Sequence, residues 1–159
     1  MNPPSNPSPP DPDAGGPLND FQAAMLDLIN EARAQSRNCG GNFFPAAPPV
    51  GWDTRIESAA LNHSIDMAQM RELTHIGSDG SDPGDRLLME GYDWFTFGEN
   101  ILVGLDNGAN VIDNWLNSPA HCAIIMNPVF EEAGVGAAGG IFQGSGAMYW
   151  TLDLATEND

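Results

Sequence analysis

Two histidines and one glutamate are the residues of this chain best placed to do chemistry. His75 lies in the run RELTHIGSDG, His121 lies in SPAHC, and Glu99 lies in FGEN, where a strand-like run begins. A neutral imidazole can bind a metal ion or accept a proton, and a carboxylate can serve in either role. Pro119 fits the first turn of a helix, whose dipole would keep the His121 ring neutral. These residue types predict a site for a divalent cation or for acid–base chemistry.

The third histidine and one serine invite other interpretations. His63 shares the apolar stripe of a predicted helix with Ala60 and Met67, which predicts a buried, hydrogen-bonded histidine and no place among metal ligands. Ser118 precedes His121 by three residues, which suggests a Ser–His–Glu hydrolase, since a serine nucleophile needs a base within hydrogen-bond reach. No G-x-S-x-G run is present, so we interpret Ser-Pro-x-His as the start of a helix.

An acidic loop with the sequence GSDGSDPG follows His75. Asp79, Asp82 and Asp85 could offer oxygen ligands to calcium, but the run lacks the spacing and the final glutamate of an EF-hand. The prediction is therefore a solvated turn without calcium, in which Asp79 or Asp85 pairs with Arg86.

The elements that must position these residues are helices in the first part of the chain and strands in the last. Asn19 or Asp20 can cap a first helix, and Thr54 and Glu57 have the spacing of a capping box at the start of a second. The glycine- and proline-rich segment 39–49 predicts a loop. Helices first and strands last predict an α+β fold with an antiparallel sheet. The remaining predicted elements are helices at 86–90, 109–118 and 119–127, and strands at 97–104, 132–138 and 147–155.

The charge of the chain excludes some classes of partner. It has 22 Asp and Glu residues, five arginines and no lysine, for a net charge of −17. Such a surface repels phosphate backbones and anionic membranes, so nucleic acid is not an expected partner. The acidity favours a soluble surface adapted to salty water, and attraction of metal cations is the alternative. No apolar run approaches the roughly 20 residues of a transmembrane helix.

The two cysteines and the N-terminal segment indicate an exported domain. Cys39 and Cys122 belong to no C-x-x-C pair, so a disulfide formed in an oxidising compartment is predicted in place of a zinc site. Residues 1–17, MNPPSNPSPPDPDAGGP, predict a flexible proline-rich linker cut from a longer precursor. The remaining 18–159 predict one monomeric domain.

The ordered motifs from residue 19 to residue 155 resemble a known family. They read H-x-G-S-D-G, then GY and GEN-I, then W-x-N-S-P-x-H, I-M-N-P-x-F-x-E-x-G-V-G and YW. This series resembles the bacterial branch of the cysteine-rich secretory protein, antigen 5 and pathogenesis-related (CAP) superfamily. The resemblance implies a three-layer α-β-α sandwich with a small antiparallel sheet between helical layers and a cleft over one face.

The resemblance also implies a site. His75, Glu99 and His121 match the cleft residues of the family, which bind a divalent metal, often zinc. Animal and plant members supply a second glutamate three residues after a tryptophan, but Ser118 stands at that place after Trp115. The chain therefore has a three-residue set in place of a full tetrad.

Three functional hypotheses remain open. The first is a secreted, non-enzymatic binding module, with a metal ion and a small lipid, sterol or peptide in its cleft. The second is a metal-assisted hydrolase, of peptidase type, with Glu99 as the general base. The third is a cell-envelope interaction protein with a vestigial cleft. The aromatic run GYDWFTFGEN before Glu99 indicates a lipid or peptide groove in the first case.

Overall fold

A computed structural model describes residues 17–159 of the chain, so the predicted linker 1–17 lies outside it apart from its last residue. Five helices and six strands form within these residues. The helices are α1 (Asp20–Arg33), α2 (Thr54–Met70), α3 (Pro83–Met89), α4 (Gly108–Leu116) and α5 (Pro119–Met126). The strands are β1 (Arg37–Cys39), β2 (Asn42–Phe44), β3 (Gly51–Trp52), β4 (Trp94–Val103), β5 (Glu132–Phe142) and β6 (Ser145–Glu157).

The main sheet has the strand order β3-β5-β6-β4. The pairs β4–β6 and β5–β6 are antiparallel, as predicted, whereas β3 pairs in parallel with β5. Strands β5 and β6 extend beyond their predicted ends because a two-residue turn, Gln143–Gly144 with φ of 50° and 82°, lets the small residues around it keep pairing. The predicted antiparallel sheet is therefore confirmed for three of its four strands.

The prediction of a loop over residues 39–49 is partly wrong. Residues 42–44 form β2, which pairs with β1 in a separate two-stranded sheet. Gly40, with φ of 62°, makes the turn between them, a left-handed conformation that favours glycine. Strands of three residues leave too little periodicity in a sequence to be recognised.

Helical layers cover both faces of the main sheet, which confirms the α-β-α sandwich. Helices α2 and α3 cover one face, and α1, α4 and α5 cover the other. Helix α2 lies directly on the backbone of β5, because a Cβ atom on Gly134 would lie 2.2 Å from Glu57 N, and one on Gly136 would lie 2.3 Å from Leu61 N. The second face holds the larger core, built around Ile29, Trp115 and Leu152.

Helices α1, α2 and α5 begin where the sequence predicts, whereas the cap of α2 and the start of α3 differ. Asn19 caps α1 and forms a capping box with Gln22. The predicted capping box of Thr54 and Glu57 is wrong, because the Asp53 side chain accepts the free amides at the start of α2. Helix α3 begins three residues before its predicted start, because Pro83 already occupies its first turn.

A buried arginine joins the end of α1 to the segment around the end of α5. Arg33, at the end of α1, has no exposed surface. Its guanidinium donates to four main-chain carbonyls: Ile125 O at 2.7 Å, Pro48 O at 2.8 Å, Asn127 O at 2.9 Å and Phe130 O at 3.2 Å. Charged donors to carbonyls are stronger than neutral ones, so Arg33 fixes the chain segment that follows α5.

The predicted disulfide is confirmed. Cys39 and Cys122 are bonded, with their Cα atoms 5.5 Å apart. The bridge joins β1 to the first turn of α5 and is buried together with Met126. Among residues 17–159, no helix is both long enough and apolar enough to cross a membrane.

Candidate functional site

Glu99 lies in the middle of β4, the edge strand of the main sheet, and only 5% of its surface is exposed. Its Oε1 accepts a hydrogen bond from His75 Nδ1 at 2.8 Å, and its Oε2 accepts one from Arg86 Nη2 at 2.8 Å. Burial would raise the pKa of Glu99, but His75, the neighbouring Asp153 and Arg86 outweigh it, so the pKa lies below its usual range. Glu99 is therefore an ionised carboxylate with both oxygens engaged.

Arg86 joins the acidic loop to Glu99. Its Nη1 donates to the Ser81 carbonyl at 2.9 Å, while its Nη2 is bound to Glu99. The predicted pairing of Arg86 with Asp79 or Asp85 is wrong, because α3 turns the guanidinium toward the sheet. The sequence offered one signal for this role, since Arg86 is one of only five basic residues in the chain.

His75 brings an accessible ring nitrogen to the site. Half of its side chain, 50%, is exposed. Because Nδ1–H donates to Glu99, the lone pair of the neutral ring is on Nε2. A carboxylate behind a histidine is the arrangement that orients metal-binding imidazoles in proteins.

His121 approaches the site from the opposite helical layer. Its Nδ1 lies 2.9 Å from Ser118 Oγ, and its main-chain carbonyl accepts from Asn100 Nδ2 at 3.0 Å. Burial lowers the pKa of His121, and the proximity of His75 lowers it further. The neutral ring predicted for His121 agrees with this direction, although burial and His75 are the causes found.

Ser118 occupies the capping position of α5, as predicted, but its side chain makes no capping hydrogen bond. Its hydroxyl contacts His121 Nδ1 instead. The contact is local, between residues three apart at the start of one helix. Ser118 therefore acts as a support that fixes the orientation of the His121 ring.

His63 is buried and hydrogen-bonded, as predicted. Its side chain has 0% exposure, and its Nε2–H donates to the Thr74 carbonyl at 2.7 Å. Nε2 also lies 3.9 Å from Glu99 Oε1. Burial lowers the pKa of His63, so the ring is neutral and supports the residues in front of it.

A buried acid that the sequence analysis missed lies behind Glu99. Asp153 is directly opposite Glu99 in the pairing of β4 with β6, and it has no exposed surface. Neither of its carboxyl oxygens has a hydrogen-bond partner of ordinary geometry. Burial raises the pKa of Asp153 well above its usual value, and the negative charge of Glu99 raises it further. Both causes favour the protonated form of Asp153 beside Glu99.

The charge state of Asp153 leads to a prediction for Asp153→Asn. An acid whose pKa is raised on folding makes the folded state less stable as the pH rises. The loss begins at the pKa of the unfolded chain, about 3.9, and ends above the pKa of the folded state. Asparagine does not ionise, so Asp153→Asn avoids this loss and should be at least as stable as wild type at pH 7. The difference in stability between the two proteins should shrink toward pH 4. Thermal unfolding from pH 4 to pH 8 measures this. The exposed Asp113→Asn is the control, and a large loss at pH 7 would mean that Asp153 is ionised and paired.

The donor atoms limit how this site could hold a metal ion. Within residues 17–159, no three His, Cys, Asp or Glu side chains converge as a ready-made metal centre. Each oxygen of the buried Glu99 already accepts a hydrogen bond, whereas no residue within 17–159 hydrogen-bonds to Nε2 of His75 or of His121. Two imidazoles suit zinc, and the carboxylate behind His75 completes the usual support.

The acidic loop has other partners for its carboxylates. Asp82 caps α3 in a capping box with Asp85, and Asp79 Oδ1 accepts from Ser81 N at 2.9 Å. These contacts satisfy backbone amides and stabilise the turn. The solvated turn is the structure found, and the loop gives no reason to propose calcium.

The aromatic run before Glu99 is divided between core and surface. Tyr92 is buried, and Trp94 packs edge-on against Phe97 with ring centroids 4.6 Å apart. Phe95 alone projects outward, with 65% of its surface exposed. The run therefore contributes one exposed aromatic side chain to a possible ligand surface.

Comparison with known proteins decides the family. The profile of the cysteine-rich secretory protein family, CAP, matches residues 26–154. This chain belongs to the CAP family. The uncharacterized protein YkwD of Bacillus subtilis (strain 168) is 32% identical over 116 residues, which are 73% of this chain and 42% of that protein. The CAP chain described here therefore spans less than half of this relative.

Solved structures share the CAP fold. An extracellular protein containing an SCP domain from Bacillus anthracis str. Ames is 24% identical, with a TM-score of 0.66 over 90% of this chain and 45% of its own. An outer surface protein of Borrelia burgdorferi is 16% identical, with a TM-score of 0.63 over 87% of this chain and 90% of its own. The crystal structure of NaASP2 with Zn2+ is 17% identical, with a TM-score of 0.56 over 90% and 82%. At these identities the likeness is one of fold.

Proposed function

We propose that this CAP domain is a non-enzymatic binding module outside the cytoplasm whose His75 and His121 hold a divalent cation, zinc in first place. The observation that carries the proposal is the hydrogen bond of 2.8 Å from His75 Nδ1 to Glu99 Oε1, which leaves Nε2 free on an exposed ring. His121 supplies the second Nε2 from the other helical layer. The ion would act as a Lewis acid that attracts an oxygen of a small lipid, sterol or peptide ligand.

Glu99 has a supporting role in this proposal. The sequence placed it with His75 and His121 as a metal ligand, but His75 and Arg86 already occupy its two oxygens. A carboxylate so held fixes the tautomer and the orientation of the His75 ring, which increases metal affinity without direct contact. Asp153 and His63 pack behind it and keep water away.

We propose zinc over other divalent cations because of the donor atoms, and one protein of the same fold supports this choice. Imidazole nitrogens suit zinc, copper and nickel better than the hard cations calcium and magnesium. NaASP2, a protein with the same fold, has been crystallised with Zn2+. The net charge of −17 also favours cation recruitment.

Calorimetric titration of zinc into metal-free protein tests the site. Wild type should bind saturably, and His75→Ala and His121→Ala should each weaken binding on the order of 100-fold or more, because each removes one of two ligands. Glu99→Gln should weaken it about 10–100-fold, through loss of the carboxylate behind His75. The control is Asp113→Asn, which removes a distant surface charge. If His75→Ala and His121→Ala titrate like wild type, the site is refuted.

The site supports a metal-assisted hydrolase less well than it supports a binding module. A general base must reach the reacting water, and Glu99 is only 5% exposed, with a hydrogen bond on each of its oxygens. Assay of the same variants on a mixed peptide and ester panel separates the two functions. Zinc-dependent turnover that is lost in Glu99→Gln would favour the enzyme, and zinc binding without turnover favours the binding module.

The proposed location outside the cytoplasm rests on the Cys39–Cys122 bridge. Disulfides persist in oxidising compartments and are rare in the reducing cytosol. The structural relative from Bacillus anthracis is described as extracellular, which supports the same location. An interaction protein of the cell envelope with an unused cleft is the outcome that remains if zinc does not bind.

A further inference from the structure

One edge of β5 lacks a neighbouring strand over most of its length. Strand β6 pairs with β5 along its whole length, but on the other side β3 pairs only with Glu132 and Ala133. In the part of the chain that the structure describes, residues 134–142 have no strand partner on the β3 side. Residues 137–142 of this edge are half-buried or exposed. They form what we call the β5 edge.

The register of the hairpin decides which backbone groups point outward at the β5 edge. A two-residue turn at 143–144 makes the flanking residues 142 and 145 a hydrogen-bonded pair, and such pairs alternate along the strands. Odd-numbered residues of β5 therefore direct their N–H and C=O groups away from β6. The Ala133 carbonyl follows this rule, since it accepts from Asp53 N at 3.1 Å. Gly139 presents both groups to an incoming strand, and Ile141 presents its N–H, whereas the Ile141 carbonyl accepts from the Tyr149 hydroxyl at 2.7 Å.

The β5 edge carries none of the devices that usually prevent strand addition. Proteins protect open edges with charged side chains, prolines or bulges. Residues 133–142, AGVGAAGGIF, contain no charged residue and no proline, in a chain with a net charge of −17. The pairing of β5 with β6 is regular from residue 132 to the turn, without a bulge. The edge is therefore open to another strand.

An apolar groove lies beside the β5 edge on the side of α2. Ile65, Ala68 and Gln69 of α2 and Ala138 and Gly139 of β5 line a space of about 260 Å³. Ile65 is 39% exposed. Alternate side chains of an added strand point to opposite faces of a sheet, so every second side chain would enter this groove.

The opposite face of the β5 edge carries an acid. Asp106 lines an open groove together with Gly139, Gly140 and Met148. A second copy of the chain would bring a like net charge of −17 to this edge, which disfavours self-pairing. A basic peptide would be attracted by the same charge. Charge therefore favours a cationic strand over a second copy.

We propose that the β5 edge binds an extended peptide of another protein as an added strand, with aliphatic side chains in the groove of Ile65 and Ala68 and with basic residues beside it. Main-chain hydrogen bonds to residues 137, 139 and 141 give the affinity, and the groove selects the side chain. Strand β6 separates this surface from β4 and the histidine site. The two surfaces are therefore independent.

Fluorescence anisotropy with a labelled peptide tests this proposal. The probe is a capped decapeptide of alternating valine and threonine with lysine at both ends, titrated with the whole chain. Gly139→Pro removes the outward N–H and leaves the β6 ladder intact, so binding should fall at least about 10-fold. Gly139→Ala keeps the N–H, and its Cβ would meet only Met148 Sδ at 3.7 Å. This control should bind like wild type.

Further probes make the outcome decisive. The same decapeptide with glutamate in place of lysine, or with a central proline, should bind at least about 10-fold more weakly. His75→Ala should bind the lysine peptide like wild type, so failure of the zinc site leaves this proposal standing. The proposal is overturned if wild type shows no saturable binding. It is also overturned if Gly139→Pro keeps the Tm of wild type and binds the lysine peptide as tightly. A dimer in sedimentation that Gly139→Pro abolishes also overturns it, in favour of a second copy.

Discussion

Replacement of Cys39 and Cys122 by serine is expected to lower the free energy of unfolding by about 4–5 kcal/mol. The bridge joins residues separated by 83 positions, and a cross-link over so long a loop removes much of the chain entropy of the unfolded state. Urea denaturation of the double-serine variant measures the loss through the midpoint and the slope.

Wild type treated with a reductant provides the control for this prediction, since it lacks the bridge but keeps both sulfur atoms. Reduced wild type and the double-serine variant should unfold at similar urea concentrations. A loss below about 1 kcal/mol would show that the unfolded chain is already compact around these residues, so that the cross-link constrains little.

Arg33→Met is expected to destabilise the fold by about 3–5 kcal/mol, because each buried carbonyl left without a donor costs about 1–3 kcal/mol. Methionine fills much of the volume of the arginine stem but donates to none of the four carbonyls that the guanidinium holds. Two of them, on Ile125 and Phe130, accept in buried hydrogen bonds and would be left without this donor. Thermal and urea unfolding of the variant measure the effect.

Arg71→Met is the matched control, because Arg71 is exposed at the end of α2. Surface substitutions of this kind usually change stability by no more than about 0.5 kcal/mol. If Arg33→Met and Arg71→Met lose equal stability, the loss comes from the change of net charge, and the buried hydrogen bonds of Arg33 contribute little.

The sequence predicted what depends on local pattern. Helical spacing of apolar residues located the helices, and the stripe that carries His63 predicted its burial. The ordered motifs around His75, Glu99 and His121 predicted the family and the sandwich, and the profile match confirms the family. The disulfide followed from counting cysteines.

The sequence did not predict what depends on contacts between distant segments. Arg33 binds carbonyls up to 97 positions away, and nothing around it signals burial. The hydrogen bonds that Glu99 accepts come from a loop and a helix in another part of the chain, so the supporting role that we propose for Glu99 could not be inferred from the sequence. Asp153 offered one signal, as a single acid in the apolar run YWTLDLA, and a rule against charges in buried strands would have found it.

Both ends of helix α5 are held by contacts with other parts of the fold, which fixes the backbone that carries His121. At its first turn it is held by the bridge at Cys122 and by Asn100 Nδ2, which donates to the His121 carbonyl. At its last turn Arg33 donates to the carbonyls of Ile125 and Asn127. The backbone under His121 is thus preorganised, and its loss of conformational entropy occurs during folding. If His121 binds the ion as we propose, the ion gains affinity because it meets a group that is already ordered.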